Sequence, residues 1–252
     1  MLEMIEVSKV FGGGLLSEGT TAVQGASLSL DRGEVLGLVG ESGCGKTTLG
    51  RIALRLIRPS SGRVLLDGED ITHIPERRLR VHRNRFQIVF QHPEGALDPQ
   101  WTLKASIMEA LAKVGLSPQE REDHLEGMAE EISLPLEVLG RRPHQVSGGE
   151  IQRAALARVM AFRPSYLVMD EPTSMLDASV QAQILNYIGR RVEDDGPGVL
   201  FISHDLEVVA RMCHRVMVMH RGRIVESGTV GEILHHPREE YTRELVESMV
   251  IP

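Results

Sequence analysis

The fold of this chain is decided by residues 35–47, which read Val35-Leu36-Gly37-Leu38-Val39 and then Gly40-Glu41-Ser42-Gly43-Cys44-Gly45-Lys46-Thr47. The first five residues are apolar without alternation, which is typical of a strand inside a mostly parallel sheet. The next eight match the pattern GxxxxGK[ST], and a helical pattern over 46–57 follows them. This order of strand, glycine-rich loop and helix predicts an α/β protein that binds phosphate at the loop.

Each residue type in the loop has a chemical reason. Glycines let backbone N–H groups approach phosphate oxygens closely, and the start of the helix adds a favourable dipole. Lys46 brings a positive charge to the terminal phosphates, and the Thr47 hydroxyl is suited to Mg²⁺. The predicted nucleotide contacts come from Gly40, Ser42, Gly43, Cys44, Gly45, Lys46, Thr47 and Thr48. The motif by itself leaves a kinase, a GTPase and a motor ATPase open.

Length and composition exclude several classes of protein. The 252 residues suffice for one large domain or a core with a subdomain, and 42% apolar with 25% charged residues is unlike a disordered or collagenous chain. The net charge of −7 argues against a nucleic-acid partner bound by bulk charge. Two cysteines cannot build a disulfide framework and favour a reducing compartment. We find neither a signal-peptide pattern nor a membrane-spanning apolar run, so we expect a soluble, cytoplasmic chain unless partners hold it at a membrane.

Short apolar runs and helical patterns alternate along the rest of the sequence. We predict core strands at residues 35–39, 86–90, 166–169, 199–202 and 215–219, and an antiparallel edge layer from residues 1–10, 26–30 and 63–66. A glycine-rich loop is predicted at 12–20. Strand signals vanish between about residue 92 and residue 162, where amphipathic helices are predicted at 104–114 and 119–132. We interpret this stretch as an inserted helical subdomain, and the tail 237–252 as a charged helix.

A second site is predicted where the apolar run Leu167-Val168-Met169 ends in Asp170 and Glu171. Asp170 can reach Mg²⁺ through water, and Glu171 can orient or deprotonate an attacking water molecule. An acidic pair after a strand is ordinary alone. Combined with the phosphate-binding loop, it favours nucleotide hydrolysis over simple binding.

A third motif, Val146-Ser147-Gly148-Gly149-Glu150, precedes a helical stretch at 151–162. With the two sites above, it resembles the signature of the ATP-binding cassette (ABC) family, usually Leu-Ser-Gly-Gly-Gln, from which Val146 and Glu150 depart. The resemblance implies a head-to-tail dimer with an identical or paralogous ATPase subunit, in which each ATP lies between one phosphate loop and the other subunit's Ser147, Gly148 and Gly149. It also implies a RecA-like P-loop NTPase core over 1–91 and 163–252 and a helical subdomain over 92–162.

The resemblance assigns roles to four further residues. Phe11 would stack on adenine, and Gln91 would contact Mg²⁺ and the attacking water. Asp177, in Ser174-Met175-Leu176-Asp177, would lie in a loop that crosses the dimer interface. His204 would contact the γ-phosphate and help to fix the catalytic geometry together with Glu171.

Other stretches resemble the oligopeptide, dipeptide and nickel importer ATPases within that family. They are 90–99 (FQHPEGALDP), 179–186 (SVQAQILN) and the tail His236-Pro237…Tyr241-Thr242, whose usual run is interrupted by residues 238–240. This implies an ATPase at the cytoplasmic face of the membrane that works with integral membrane permease subunits and pairs with a paralogous ATPase. No cysteine cluster for an iron–sulfur centre is present in the tail.

Two alternatives stay open at this point. A soluble ABC ATPase could drive a cytoplasmic enzyme complex of the phosphonate-degradation or enzyme-activation type. A small-molecule kinase would share the phosphate-binding loop but would leave the signature and His204 unexplained.

Overall fold

The computed structural model describes residues 1–12, 19–172, 177–193 and 196–250, of which residues 249 and 250 are described through their backbone alone. The strands, in chain order, are β1 (Leu2–Phe11), β2 (Thr20–Leu30), β3 (Val35–Val39), β4 (Ser61–Leu66), β5 (Glu69–Asp70), β6 (Phe86–Val89), β7 (Tyr166–Asp170), β8 (Gly198–Ile202), β9 (Arg215–His220) and β10 (Arg223–Thr229). The helices are α1 (Lys46–Ala53), α2 (Glu76–Leu79), α3 (Leu103–Lys113), α4 (Pro118–Glu131), α5 (Gly148–Ala161), α6 (Ala178–Glu193), α7 (Leu206–Met212), α8 (Val230–His235) and α9 (Glu240–Val250). Residues 13–18 of the predicted glycine-rich loop lie outside the described part of the chain.

The chain packs as two compact units. The first comprises the described parts of Met1–His82 and Gly198–Pro252, and the second those of Arg83–Pro197. The phosphate-binding loop belongs to the first unit, and the acidic pair and the signature belong to the second. The division of the sequence into a core over 1–91 and 163–252 and a helical subdomain over 92–162 stays a prediction.

The first unit contains a strand order β8-β3-β9-β10. Strand β3 runs parallel to both β8 and β9, and β9 turns back into the antiparallel β10. All five residues of β3 are buried, as the continuous apolar run predicts for a strand covered on both faces. The parallel arrangement brings the carboxyl ends of β3 and β8 to one edge, where the phosphate-binding loop and the loop with His204 begin.

The predicted antiparallel layer is also confirmed in the first unit, with the strand order β2-β1-β4-β5. Leu2 pairs with Leu30 on one side and with Leu66 on the other. Strand β2 begins at Thr20, earlier than the predicted residue 26, because its polar first half pairs with the end of β1 through Phe11 and Thr20. Backbone hydrogen bonds to a neighbouring strand do not require apolar side chains, so the hydropathy pattern missed this extension.

In the second unit, β6 and β7 pair in parallel from Phe86 and Tyr166 to Val89 and Met169. Helices α3, α4 and α5 lie between these strands in the sequence, and α3 packs against the other two. The two predicted amphipathic helices are present within one residue of their predicted ends. Parallel strands, helices and the antiparallel layer together confirm the α/β fold class.

Helix α1 is shorter than the sequence predicts, because it ends at Ala53 instead of residue 57. Arg55 adopts a left-handed backbone with φ 51°, and its guanidinium donates from Nε to the Ile71 carbonyl at 2.8 Å. A left-handed residue ends a helix, and here a buried side-chain contact stabilises it. Among the residues that the structure describes, no helix combines the length and the apolar character needed to cross a membrane.

Candidate nucleotide-binding site

The phosphate-binding loop connects β3 to α1, and two of its glycines are required by close contacts. Gly40 has φ 146°, and a Cβ atom there would lie 2.1 Å from the Met219 carbonyl oxygen. Gly45 has φ 112°, and a Cβ atom there would lie 2.2 Å from the Ala22 carbonyl oxygen. The loop is therefore pressed against two neighbouring strands, and only glycine fits at these positions.

Lys46 lies across this loop and is 6% exposed. Its ammonium group donates hydrogen bonds to the carbonyl oxygens of Gly40 and Glu41, both at 2.7 Å. These two bonds satisfy a buried charge before any phosphate is present. The lysine is thus held over the loop that the motif assigns to phosphate.

Cys44 fills the interior of the same loop. Burial raises the pKa of its thiol, and the neighbouring Lys46 charge opposes that shift only in part. The thiol is accordingly protonated at neutral pH, which suits a small packing residue.

Phe11, the predicted adenine-stacking residue, ends β1 and is 44% exposed. The ammonium nitrogen of Lys9 lies 5.1 Å from the centroid of its ring, a distance typical of a cation–π contact. The same nitrogen donates to the Arg58 carbonyl at 2.9 Å. Phe11 therefore presents an exposed aromatic ring whose position is supported by a neighbour that the sequence did not identify.

His204 follows β8 and is exposed. The residues on either side fix its turn, since the Ser203 hydroxyl accepts the Asp205 N–H at 3.0 Å. The Asp205 carboxylate then caps α7 by accepting the N–H groups of Glu207 and Val208. The histidine side chain is left at the surface on a turn that its neighbours hold.

In the second unit, the structure brings together two predicted catalytic residues that are far apart in sequence. Gln91 donates from Nε2 to Oε2 of Glu171 at 2.7 Å. Glu171 directly follows β7 and adopts a left-handed backbone with φ 47°, an unusual conformation for a residue with a side chain.

Asp170, the last residue of β7, is 5% exposed. Carboxylate oxygens such as those of Asp170 are donors that Mg²⁺ prefers. Among the described residues, no group of three histidine, cysteine or acidic side chains could hold a metal ion. The residues present fit an ion that takes most of its ligands from phosphate and water, which is usual for Mg²⁺.

The signature residues form the start of α5. The Ser147 hydroxyl donates to Oε2 of Glu150 at 2.7 Å, and the Ser147 N–H donates to the same oxygen at 2.7 Å. These bonds lower the pKa of Glu150, so its carboxylate is ionised at neutral pH. Gly148 and Gly149 open the helix, and a negative charge is fixed at the same helix end.

Asp177 precedes α6, and its Oδ1 accepts the Val180 N–H at 2.9 Å. Residues 173–176 of the loop before it lie outside the described part of the chain.

A contact that the sequence analysis missed joins the signature helix α5 to the residue that follows the acidic pair. The buried side chain of Gln152 donates to the Pro172 carbonyl at 2.8 Å. The sequence signal for this contact was the position of polar Gln152 among the buried, mostly apolar residues of α5.

A glycine-rich loop between a parallel strand and a helix, with a buried lysine, defines a P-loop nucleotide-binding protein of the α/β class. Residues 23–174 match the sequence profile of the ABC transporter family. Because this match covers more than half of the chain, the protein belongs to that family.

Similar proteins and similar solved structures support this family assignment. A Brucella ovis protein named for peptide import and ATP binding is 41% identical over 90% of this chain and 72% of its own length. The oligopeptide transport ATP-binding protein AppF of Bacillus subtilis is 39% identical over 100% of this chain and 78% of its own. A dimeric ATP-binding cassette bound to ADP and Pi superposes with a TM-score of 0.84 at 26% identity, covering 91% of this chain and 99% of that one. A subunit of an ABC transporter complex from Clostridium perfringens gives 0.79 at 26% identity, with coverage of 93% and 90%.

Proposed function

We propose that this chain is the ATP-hydrolysing subunit of an ABC importer for peptides. The observation that supports this most is the similarity at 39–41% identity to proteins named for peptide import and oligopeptide transport, over nearly the whole chain. Nickel, the other substrate implied by the resemblance, has no such support. The soluble enzyme-complex and kinase alternatives are correspondingly weaker.

In this proposal, one ATP binds at the phosphate-binding loop. The Phe11 ring stacks on adenine, and the loop amides with Lys46 hold the phosphates. The ammonium group of Lys46 has three N–H donors, and two of them bond to the carbonyl oxygens of Gly40 and Glu41. The third would bond to a phosphate oxygen, in a bond that is strong because both partners are charged. Gly40, Ser42, Gly43, Cys44, Gly45 and Thr48 complete the loop.

Mg²⁺ would be held by Thr47, Asp170 and Gln91, and when bound it neutralises phosphate charge during transfer. Glu171 orients the attacking water and accepts its proton. The water oxygen forms a bond to the γ-phosphorus while the bond to the ADP oxygen breaks, and His204 contacts the departing γ-phosphate. The hydrogen bond between Gln91 and Glu171 supports this assignment, because it places the proposed base and the proposed water-contacting amide side by side.

A second ATPase subunit, identical or paralogous, completes each site in a head-to-tail dimer. Ser147, Gly148 and Gly149 of the partner would bind the γ-phosphate, and Asp177 would cross the interface. The dimeric state of a structural neighbour supports an arrangement of this kind. Closure and opening of the dimer would drive integral membrane permease subunits, which would hold the chain at the cytoplasmic face.

Affinity purification from detergent-solubilised cells tests the transport assignment. The importer predicts recovery of two integral membrane permeases and an ATPase activity that releases phosphate. Recovery of soluble enzymes alone would favour the enzyme-complex alternative. Transfer of phosphate to an acceptor other than water would favour the kinase.

A further inference from the structure

One peptide group of the phosphate-binding loop is held from both sides. The Gly40 carbonyl accepts the Lys46 ammonium at 2.7 Å, and the Glu41 N–H donates to the Tyr241 hydroxyl oxygen at 3.0 Å. The C=O and N–H of a trans peptide group point in opposite directions, so the two contacts fix its rotation together. Tyr241 lies 200 residues beyond Glu41 in the sequence, in the helix α9.

The ring of Tyr241 is itself held in place. It stacks on the His220 ring with centroids 3.9 Å apart and an interplanar angle of 6°. His220 ends β9 and directly follows Met219, whose carbonyl packs against Gly40. The same strand end therefore supports both the loop and the tyrosine. Burial raises the pKa of Tyr241, so its hydroxyl is neutral at physiological pH.

The segment that carries Tyr241 is anchored by Glu226 of β10. One carboxylate oxygen of Glu226 accepts the Arg238 N–H at 2.9 Å, and the other accepts the Glu239 N–H at 3.1 Å. Both donors belong to residues 238–240, which interrupt the His-Pro…Tyr-Thr run of the tail. The additional residues thus supply the amides that tie the start of α9 to the sheet.

We propose that Tyr241 is a positioning residue for nucleotide binding: its hydroxyl orients the Gly40–Glu41 peptide group and, through the carbonyl, Lys46. A peptide group whose N–H is hydrogen-bonded has a more polarised carbonyl, which holds the ammonium more firmly. The loop is then already ordered when phosphate arrives, and less affinity is lost to ordering it. This inference rests on the proposed function only in taking the nucleotide to be ATP.

Replacing Tyr241 by phenylalanine keeps the ring stacked on His220 and removes the hydroxyl. We expect the Kd and KM for MgATP to rise about three- to ten-fold, the range for one lost neutral hydrogen bond, with kcat changed by less than about two-fold. Ser248→Ala is the matched control, since that hydroxyl lies in the same helix and donates to the Leu245 carbonyl at 2.9 Å. It should leave Kd, KM and kcat unchanged.

The outcomes separate the two proposals. If the unaltered protein binds no MgATP, the proposed function fails. If it binds MgATP and Tyr241→Phe binds equally well, the proposed function stands and the role of Tyr241 is refuted. A fall in kcat with an unchanged Kd would also refute a role in binding.

Hydrogen exchange of the Glu41 amide in nucleotide-free protein provides a readout that does not depend on activity. Tyr241→Phe should speed this exchange several-fold, whereas Ser248→Ala should not. Glu226→Gln should weaken MgATP binding as well, because it loosens the segment that presents Tyr241. Its effect on MgATP binding should nearly vanish in the Tyr241→Phe background, because Glu226 acts through Tyr241. Full additivity of the two changes would contradict this.

Discussion

Gln91 and Glu171 are joined by a hydrogen bond of 2.7 Å between Nε2 and Oε2, across 80 residues of sequence. Glu171 directly follows β7 and has a left-handed backbone with φ 47°. A conformation of this kind costs about 1 kcal/mol or more and persists only where the surrounding structure fixes it.

Glu171→Gln should abolish hydrolysis while ATP binding is retained. The amide cannot accept a proton from water but can still accept the Gln91 hydrogen bond, so we expect phosphate release to fall at least about 100-fold. In the presence of ATP, a closed dimer of this variant should then accumulate, and light scattering after gel filtration measures its mass. Glu137→Gln, at an exposed position in the same unit, serves as the control. Unchanged phosphate release in Glu171→Gln would disprove the assignment of the base.

Gly45→Ala should destabilise the protein and prevent ATP binding, because the new Cβ atom would meet the Ala22 carbonyl oxygen at 2.2 Å and the residue has φ 112°. We expect a loss of about 2 kcal/mol or more in the free energy of unfolding, measured with urea. Gly127→Ala is the control, since that glycine lies in α4 with nothing within 4 Å of a Cβ. Alanine there should stabilise the helix by up to about 1 kcal/mol. Equal effects of the two substitutions would contradict the predicted clash.

Glu150→Gln should strengthen the ATP-dependent dimer. The ionised carboxylate of Glu150 lies at the helix end proposed to face the partner's γ-phosphate, and removing it relieves a like-charge repulsion. We expect the dimer dissociation constant in ATP to fall about two- to ten-fold, measured by analytical ultracentrifugation. Glu120→Gln is the matched control, because Glu120 forms the same capping box with Ser117 at α4. If Glu150→Gln weakened the dimer and Glu120→Gln did not, the proposal that the signature faces the partner's γ-phosphate would be contradicted.

The protein should lose stability in alkaline solution because of the buried thiol of Cys213. Burial raises the pKa of its thiol from an ordinary value near 9 to about 12, so above pH 9 the unfolded chain loses this proton and the folded chain keeps it. Its contribution to stability is complete below pH 9 and falls as the pH rises toward 12, by about 1 kcal/mol between pH 9 and pH 10. Urea unfolding of the unaltered protein and of Cys213→Ala at both pH values measures the difference. Identical pH slopes would show that the thiol does not titrate in this way.

Much of the fold follows from local sequence patterns. The run VLGLV predicted β3 at its observed bounds, and the apolar runs at 166–169 and 199–202 predicted β7 and β8 within one residue. Apolar side chains must be buried whatever surrounds them, so these patterns survive in a sequence taken alone. Strand β10 and helix α8 were missed, because their side chains are mostly half-exposed or exposed and give little contrast in hydropathy.

For the candidate site, too, the sequence identified the residues, whereas the structure was needed for the contacts between them. The sequence alone determined which residues are candidates for the chemistry, because a phosphate-binding loop needs glycines, a lysine and a hydroxyl at fixed spacing within a few residues. Only the tertiary structure decided that Gln91 contacts Glu171, and that Tyr241 contacts the Glu41 amide. Contacts across 80 and 200 residues depend on how strands and helices pack together, and no local pattern of charge or hydropathy records that packing.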